Sequence, residues 1–291
     1  MKRYLRIVLR LATDPGANYP LYKKRFREKI FLIRKKYFSR IPFYANPIPG
    51  LTVAIFPREQ IAESIYMGDF EPEVRSYFLR TIKPGMVIFD VGANIGYFTT
   101  IMAKLVGSGG KVHAFEPSNR EFGSIKNMIR QNRQDNVVLN QTALSERVGR
   151  MMMNIAKTEN MAALNTMGNI THPAAQDGDF KQVEVSLDTI DNYVTDKEIN
   201  RLDLIKIDVE GAELMVLKGA EETLKRYRPQ IICEFSDLTT KGFGYQAKEI
   251  FDWLVQKGYR AYRITNQGDI LAELGKEHYD YDNLLFTIEA R

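Results

Sequence analysis

From about residue 86 the chain alternates between two patterns. Short apolar runs give way to segments whose apolar positions recur every three or four residues, the periods of buried strands and amphipathic helices. Met86–Val91, Lys111–Glu116, Val137–Gln141, Leu202–Asp208 and Gln230–Phe235 read as five strands. Ile95–Val106, Glu121–Asn132 and a stretch from about 211 to 226 read as the helices between them, with Gly219 a point of interruption. A helix at 246–257 and strands at Arg260–Thr265 and Asn283–Ile288 complete the series. Strands separated by helices imply an α/β domain with a mainly parallel sheet covered on both faces. An insertion at about 149–187 separates the third strand from the fourth. In it, strands at 149–155 and 183–187 flank a polar, Gly/Asn-rich stretch at 157–181. A polar segment of that length inside a compact domain is usually functional or disordered.

The N-terminal part reads differently. Residues 1–12 place Leu5, Val8, Leu9 and Ala12 on one helical face before Asp14-Pro15-Gly16 breaks the pattern. Residues 21–38 repeat Phe26, Ile30, Ile33 and Tyr37 at helical spacing, and four prolines between 42 and 57 mark an extended stretch. The main domain is expected to begin near residue 58. This divides the chain into a basic helical extension, 1–57, and a domain, 58–291.

Charge sharpens that division. Residues 1–40 hold 13 Lys or Arg against Asp14 and Glu28, a balance of +11, and the rest of the chain sums to −6. The overall +5 is therefore no sign of a nucleic-acid groove in the body, and no specific nucleic-acid partner is expected. Hydrophobic residues at 44% and charged residues at 26% exclude global disorder. The single cysteine, Cys233, excludes an internal disulfide or a multi-cysteine metal site and fits a reducing, cytoplasmic setting. No apolar run reaches membrane-spanning length, and Arg6 and Arg10 interrupt what would otherwise resemble a signal peptide. The N-terminal cations suit peripheral contact with the inner face of a membrane, or a protein partner.

The candidate chemistry lies at strand ends. The first strand closes on Asp90 and runs into Val91-Gly92-Ala93-Asn94-Ile95-Gly96 before a helix, the setting of a ligand loop at the carboxyl edge of a sheet. Gly92 and Gly96 permit sharp turns and close approach. The loop lacks the G-x-G-x-x-G pattern of a dinucleotide site. A carboxylate beside it suits a cationic ligand bearing an amino acid, such as S-adenosylmethionine, and the alternative is a purely structural turn. Glu116 ends the second strand 20 residues after Gly96, where an acid can accept both hydroxyls of a ribose. Ala143, after the third strand, is small enough to sit against an adenine ring.

The fourth strand ends Lys206-Ile207-Asp208-Val209-Glu210-Gly211, with Lys206, Asp208 and Glu210 alternating onto one side. A lysine in a central strand needs a partner, and Asp208 is the nearest acid. Glu234 closes the fifth strand and is expected to converge on Asp208 and Glu210. Three carboxylates there suit a substrate-binding edge, a general base or a hard cation. Their spacing is not decisive for a metal, and none is assigned. Glu213 is expected to face solvent or cap the following helix. His113 and Cys233 read as packed strand residues, Met151-Met152-Met153 as strand packing, and His278 as a loop residue.

Taken together, Asp90-x-Gly92-x-Asn94-x-Gly96, Phe115-Glu116-Pro117 and Ile205-Lys206-Ile207-Asp208-Val209-Glu210-Gly211 resemble the FkbM-type methyltransferases. Gly68–Glu73, Lys83-Pro84-Gly85 and Asp282–Phe286 fit the same resemblance, which spans about residues 60–290 and omits the basic extension. It implies a class I methyltransferase, Rossmann-like sheet with strand order 3-2-1-4-5-7-6 and the seventh strand antiparallel. It also implies S-adenosylmethionine as cofactor and, usually, O-methylation of a small-molecule or glycan hydroxyl. In that frame Asp90, Gly92, Asn94 and Gly96 are expected at the cofactor's amino-acid end. Glu116 is expected at the ribose, and Glu71 near the methionine moiety. Asn160 and His172, in the insertion, are expected near substrate, and Asp208, Glu210 and Glu234 at the catalytic edge. Three rivals remain at this point. A nucleic-acid N-methyltransferase would carry an Asn/Asp-Pro-Pro-aromatic motif after the fourth strand, and this chain has Asp208-Val209-Glu210-Gly211 there. The others are a non-catalytic S-adenosylmethionine-binding module and an NAD-dependent oxidoreductase.

Overall fold

The computed structural model describes residues 21–158, 161, 165–171 and 180–288. The helix expected over residues 1–12 lies outside them. The chain begins with α1 (Leu21–Tyr37) and a hairpin of β1 (Phe43–Ala45) and β2 (Val53–Ile55). There follow α2 (Ala62–Met67), α3 (Pro72–Thr81), β3 (Val87–Val91), α4 (Tyr97–Val106), β4 (Lys111–Phe115), α5 (Asn119–Asn132) and β5 (Val137–Asn140). The insertion contributes β6 (Ala143–Leu144), β7 (Gly149–Ala156), β8 (Phe180–Asp188) and α6 (Ile190–Asp196). Then come β9 (Leu204–Ile207), α7 (Glu213–Lys218), α8 (Glu221–Tyr227), β10 (Gln230–Phe235), α9 (Asp237–Thr240) and a 3₁₀ turn at Lys241–Phe243. The last elements are α10 (Ala247–Gln256), β11 (Arg260–Ile264), β12 (Ile270–Ala272) and β13 (Asp282–Thr287).

The main sheet has the order β5-β4-β3-β9-β10-β13-β11-β12. Its first five strands are parallel, and β13 runs antiparallel to both β10 and β11. This is the expected 3-2-1-4-5-7-6 order, extended by the short edge strand β12. Because alternate side chains leave a strand on opposite faces, neighbours along one strand join different cores. Ile88, Leu204, Ile232 and Leu285 pack with α3, α4 and the hairpin. Phe89, Ile205, Ile231 and Leu284 pack with α6, α7, α8 and α10. Helices thus cover both faces, as a buried parallel sheet requires.

The helix expected from 211 to 226 is two helices. At Gly219 the chain presses against the loop after β6, so closely that an added Cβ would lie 2.0 Å from the Ser145 carbonyl oxygen. The Gly219 carbonyl in turn accepts the Asp191 amide of α6. The third strand stops at Asn140 rather than Gln141, and the chain then enters a separate three-stranded sheet of order β6-β8-β7. There the two strands expected in the insertion form a single antiparallel ladder from Gly149–Leu187 to Ala156–Phe180. The short helices α2 and α6, of six and seven residues, lack the long periodic runs that make a helix readable from sequence.

Packing is continuous across residue 58. Phe31 is fully buried and stacks at an angle on Tyr66, with ring centroids 5.5 Å apart, and edge-on to Phe43 at 6.3 Å. Phe43, Leu51, Val53 and Ile55 share the core that holds Ile88 and Ile101. Phe31→Ala should therefore destabilise the whole protein by about 3–5 kcal/mol, the usual cost of emptying a buried phenylalanine site. Denaturant unfolding followed by tryptophan fluorescence measures this. A loss below about 1 kcal/mol would mean that α1 is not part of the cooperative unit.

Candidate active site

The carboxyl ends of β3, β4 and β9 open onto a cleft. Its lining includes Gly92, Asn94, Glu116, Ala143, Asp208, Val209 and Glu210, together with Asn165, Met153 and Met167 from the insertion. The loop after β3 is held from two sides. The Gly92 and Ala93 amides both donate to the Phe115 carbonyl at 3.1 Å, and the Asn94 amide donates to Glu116 Oε2 at 2.9 Å. Gly92 has φ +82°, and a Cβ there would meet the Asp208 carbonyl oxygen at 1.8 Å. The absent side chain at Gly92 thus makes room for the neighbouring strand end, β9, rather than for a ligand. Gly96 caps α4 and lies outside the cleft lining.

Glu116 is nearly fully buried, and its two oxygens accept the amides of Asn94 and Ser118, both at 2.9 Å. Burial pushes its carboxyl up to about 8, against the pull of those amides. One buried group thus fixes the loops after β3 and β4 and offers its remaining lone pairs to the cleft.

Beneath the cleft floor lies a concentration of charge. Lys206, on β9, is 3% exposed and places Nζ 2.8 Å from Asp208 Oδ2. Burial works against its charge, but Asp208, Glu71 and Asp90 outweigh it and raise its pKa. Asp208 is pushed up by burial and pulled down further by Lys206, so its net direction is downward. The buried pair expected from the sequence is present. Asp90 is 1% exposed; Oδ2 accepts the Thr99 hydroxyl, and Oδ1 has no hydrogen-bond partner. Burial raises its pKa, opposed by Lys206. Asp90 therefore lies below the cleft rather than in its wall. Glu71 reaches the same lysine from the start of α3, where it has φ 37°, and accepts the Asn283 side-chain amide at 3.4 Å. Burial pushes it up to about 7.

Glu210 and Glu234 complete the edge. One carboxylate oxygen from each of Asp208, Glu210 and Glu234 lies within 4.8 Å of the others, an oxygen set of the kind a hard cation accepts. Glu234 is 6% exposed, and its Oε2 has no partner. Burial, then Asp208, then the other neighbouring carboxylates hold both Glu210 and Glu234 well above the ordinary range. The expected convergence of these three acids is present.

Other expectations divide. Asn160 and His172 lie outside the described residues. Glu213 does not face solvent. It is 1% exposed, and Oε1 accepts the Val209 and Gly211 amides at 3.0 and 3.1 Å, bracing the loop that carries Glu210. Its acidic side chain two residues beyond Gly211 was the signal for that brace. His113 is a core residue, bonded through Nδ1 to the Tyr193 hydroxyl at 2.8 Å and pushed down to about 4 by burial. His278 is exposed and lies between Asp237 and Asp280. Met153 faces the cleft as well as its strand neighbours. Asn165 and Met167 were not legible, because only the return of the insertion onto β7, through the Asn154–Thr166 bridge, brings them to the cleft.

The carboxyls raised by burial bind protons more tightly in the folded chain than in the unfolded one. Their stabilising protons are present below the ordinary carboxyl pKa and are lost as pH rises through the folded values, about 7 for Glu71 and about 8 for Glu116. Lys206 and Asp208 keep their charges across that range. The melting temperature of the ligand-free protein should therefore fall from about pH 5 to about pH 8, and Glu234→Gln should flatten the decline. Scanning calorimetry showing a flat or rising profile would contradict this charge assignment.

Comparison with known proteins matches residues 90–261 to the Methyltransferase FkbM domain. The 31-O-demethyl-FK506 methyltransferase FkbM of Streptomyces tacrolimicus is 30% identical over 182 residues, covering 54% of this chain and 68% of that protein. The 2-O-methyltransferase NoeI of Sinorhizobium fredii is 28% identical over 197 residues, covering 65% and 79% respectively. A crystal structure of methyltransferase FkbM from Methylobacillus flagellatus KT aligns with a TM-score of 0.44 at 15% identity, covering 79% of this chain and 56% of that one. The segment matched by the family begins at Asp90 and takes in the glycine loop, Glu116 and the acidic edge of β9 and β10. The chain belongs to the FkbM methyltransferase family and is an S-adenosylmethionine-dependent methyltransferase.

Proposed function

We propose that this chain transfers the methyl group of S-adenosylmethionine to a hydroxyl oxygen of a small molecule or glycan, in the cleft bounded by Asn94, Glu116, Ala143 and Glu210. One observation carries the reading. Asp208 and Glu210 line the same cleft as Glu116, so a ribose-binding acid and a proton-accepting edge share one space. The relatives named for O-methylation support a hydroxyl acceptor. The basic extension, residues 1–57, is accessory to the chemistry, which belongs to the domain from about residue 58.

The residues fit a cationic cofactor. Asp90 Oδ1 and Glu234 Oε2 are buried carboxylate oxygens without hydrogen-bond partners, and the surrounding acids outnumber Lys206. When bound, S-adenosylmethionine supplies a methyl group already activated on a sulfonium. Glu116 would hold the ribose hydroxyls, and Ala143 would lie against the adenine. The loop at Gly92 and Asn94 would border the amino-acid end, and Asp90 and Glu71, below the floor, would act on it only through the balance of charge around Lys206. The protein's remaining tasks are alignment of the acceptor and removal of its proton.

Asp208 is ill suited to removing that proton. Lys206 pins its carboxylate and lowers its pKa, so it serves better as a fixed acceptor that orients the hydroxyl. Burial and the neighbouring Asp208 raise the pKa of Glu210, which makes it the stronger proton acceptor of the two once ionised, and a positive charge in the cleft would bring it into that form. Glu234, behind them, supports the edge through Asp208.

Two substitutions test this division of labour. Glu116→Ala should weaken S-adenosylmethionine binding by about tenfold to a hundredfold, the usual cost of leaving buried hydroxyls without their partner. Calorimetry finding wild-type affinity would remove the ribose assignment. Glu210→Gln should lower kcat by roughly a hundredfold or more and abolish its rise with pH, while cofactor affinity stays close to wild type. Labelled methyl transfer to a hydroxyl acceptor reads this, and full turnover by Glu210→Gln would exclude Glu210 as the base.

A further inference from the structure

The N-terminal helix presents a face that neither the fold nor the chemistry uses. Its inner side is accounted for. Ile30 and Phe31 are buried, Arg27 donates to the Tyr66 carbonyl, and Arg34 donates to the Pro42 carbonyl at 3.2 Å. These positions, spaced by three and four, are the stripe that docks α1 on the domain. The solvent-facing side mixes apolar and basic residues: Phe26, Ile33 and Tyr37 flank the docked stripe, and Leu32 lies further round among Lys29 and Lys36. Phe26, Leu32, Ile33 and Tyr37 are between 43% and 66% exposed, and Phe38 and Ile41 extend the surface beyond the helix end. Phe26, Ile33 and Tyr37 recur at intervals of seven and four, so they form a continuous apolar edge.

Cations border that edge. Residues 21–41 contain nine Lys or Arg and one acid, Glu28. Lys29, Lys35 and Lys36 are exposed, and among the described residues none has a carboxylate partner; Lys36 rests over the Tyr37 ring, 5.2 Å from its centroid. No described helix is long and apolar enough to cross a membrane. A contiguous, solvent-facing apolar patch marks an interaction site. Basic side chains flanking exposed aromatic and aliphatic ones match the two layers of a bilayer surface, anionic headgroups above an acyl boundary. A nucleic acid would use the lysines and leave the aliphatic side chains in water.

We propose that the outer face of α1, continued through Phe38 and Ile41, docks the protein peripherally on anionic lipid bilayers. The docked helix lies in the plane of the surface, with Phe26, Leu32, Ile33 and Tyr37 inserted at the headgroup boundary and Lys29, Lys35 and Lys36 against the phosphates.

The test is sedimentation of the full chain with vesicles of phosphatidylcholine alone and of phosphatidylcholine with phosphatidylglycerol. Wild-type protein should partition onto the anionic vesicles and hardly onto the neutral ones, with binding that falls as salt rises. Leu32→Ser/Ile33→Ser/Tyr37→Ser and Lys29→Gln/Lys35→Gln/Lys36→Gln should each reduce partition by about tenfold or more. Both variants alter exposed positions, so both should keep the wild-type melting temperature and S-adenosylmethionine affinity. Three results would each overturn the proposal: no partition onto anionic vesicles, equal partition onto both compositions, or wild-type partition by either triple variant. So would single-stranded RNA that binds more tightly than the vesicles and displaces the protein from them.

Discussion

A single buried ammonium organises the working edge of this protein. Lys206 stands on the central strand β9, where a lone charge would be prohibitively costly, and is held there by Asp208, with Asp90 and Glu71 close enough to favour its charged form. Those acids come from the ends of three separate elements: β3, β9 and the start of α3. Their dependence on one lysine ties the segment upstream of the sheet to the sheet itself. The remaining carboxyls, Glu116, Glu210 and Glu234, lack a cation of their own and stay protonated more readily. Charge of the opposite sign entering the cleft therefore finds acids still to be ionised.

How much of this was legible in the sequence depended on the range of the interaction. The strand order could be read because each parallel strand is an apolar run and each crossover a periodic one. Lys206 with Asp208 could be read because alternation along one strand puts both side chains on one side. Asp90 was readable as a functional acid but not as a buried one, since its burial comes from Thr99 and Lys206 packing over it. The role of Gly92 was legible only as permissive geometry; that it admits the Asp208 carbonyl follows from the adjacency of β3 and β9. Glu213 was misplaced because helix periodicity does not disclose that a loop two residues earlier turns back onto its carboxylate. Asn165 and Met167 reach the cleft through a return of the insertion that no local pattern encodes.

The N-terminal segment illustrates the same difference in another form. Its charge sets it apart from the body, and its apolar spacing marks a helix. Neither property tells which apolar residues turn inward. The structure divides them: Ile30 and Phe31 join the core, while Phe26, Ile33 and Tyr37 remain outside. The hairpin that follows feeds residues Phe56–Ile61 into a second cavity, which Asn94 and Ile95 of the glycine loop also line. The segment is thus attached mechanically to the loop beside the cleft.

The three-stranded sheet β6-β8-β7 carries a different implication. Among the described residues it shares no hydrogen-bonded strand with the main sheet, and it supplies Ala143, Met153 and, through the insertion, Asn165 and Met167 to one wall of the cleft. The charged machinery lies on the other wall and the floor. Remodelling that small sheet and its loop would therefore reshape one wall of the cleft while the residues that balance charge around Lys206 stay fixed. A scaffold partitioned in this way lets one wall of the cleft vary without disturbing the charged floor.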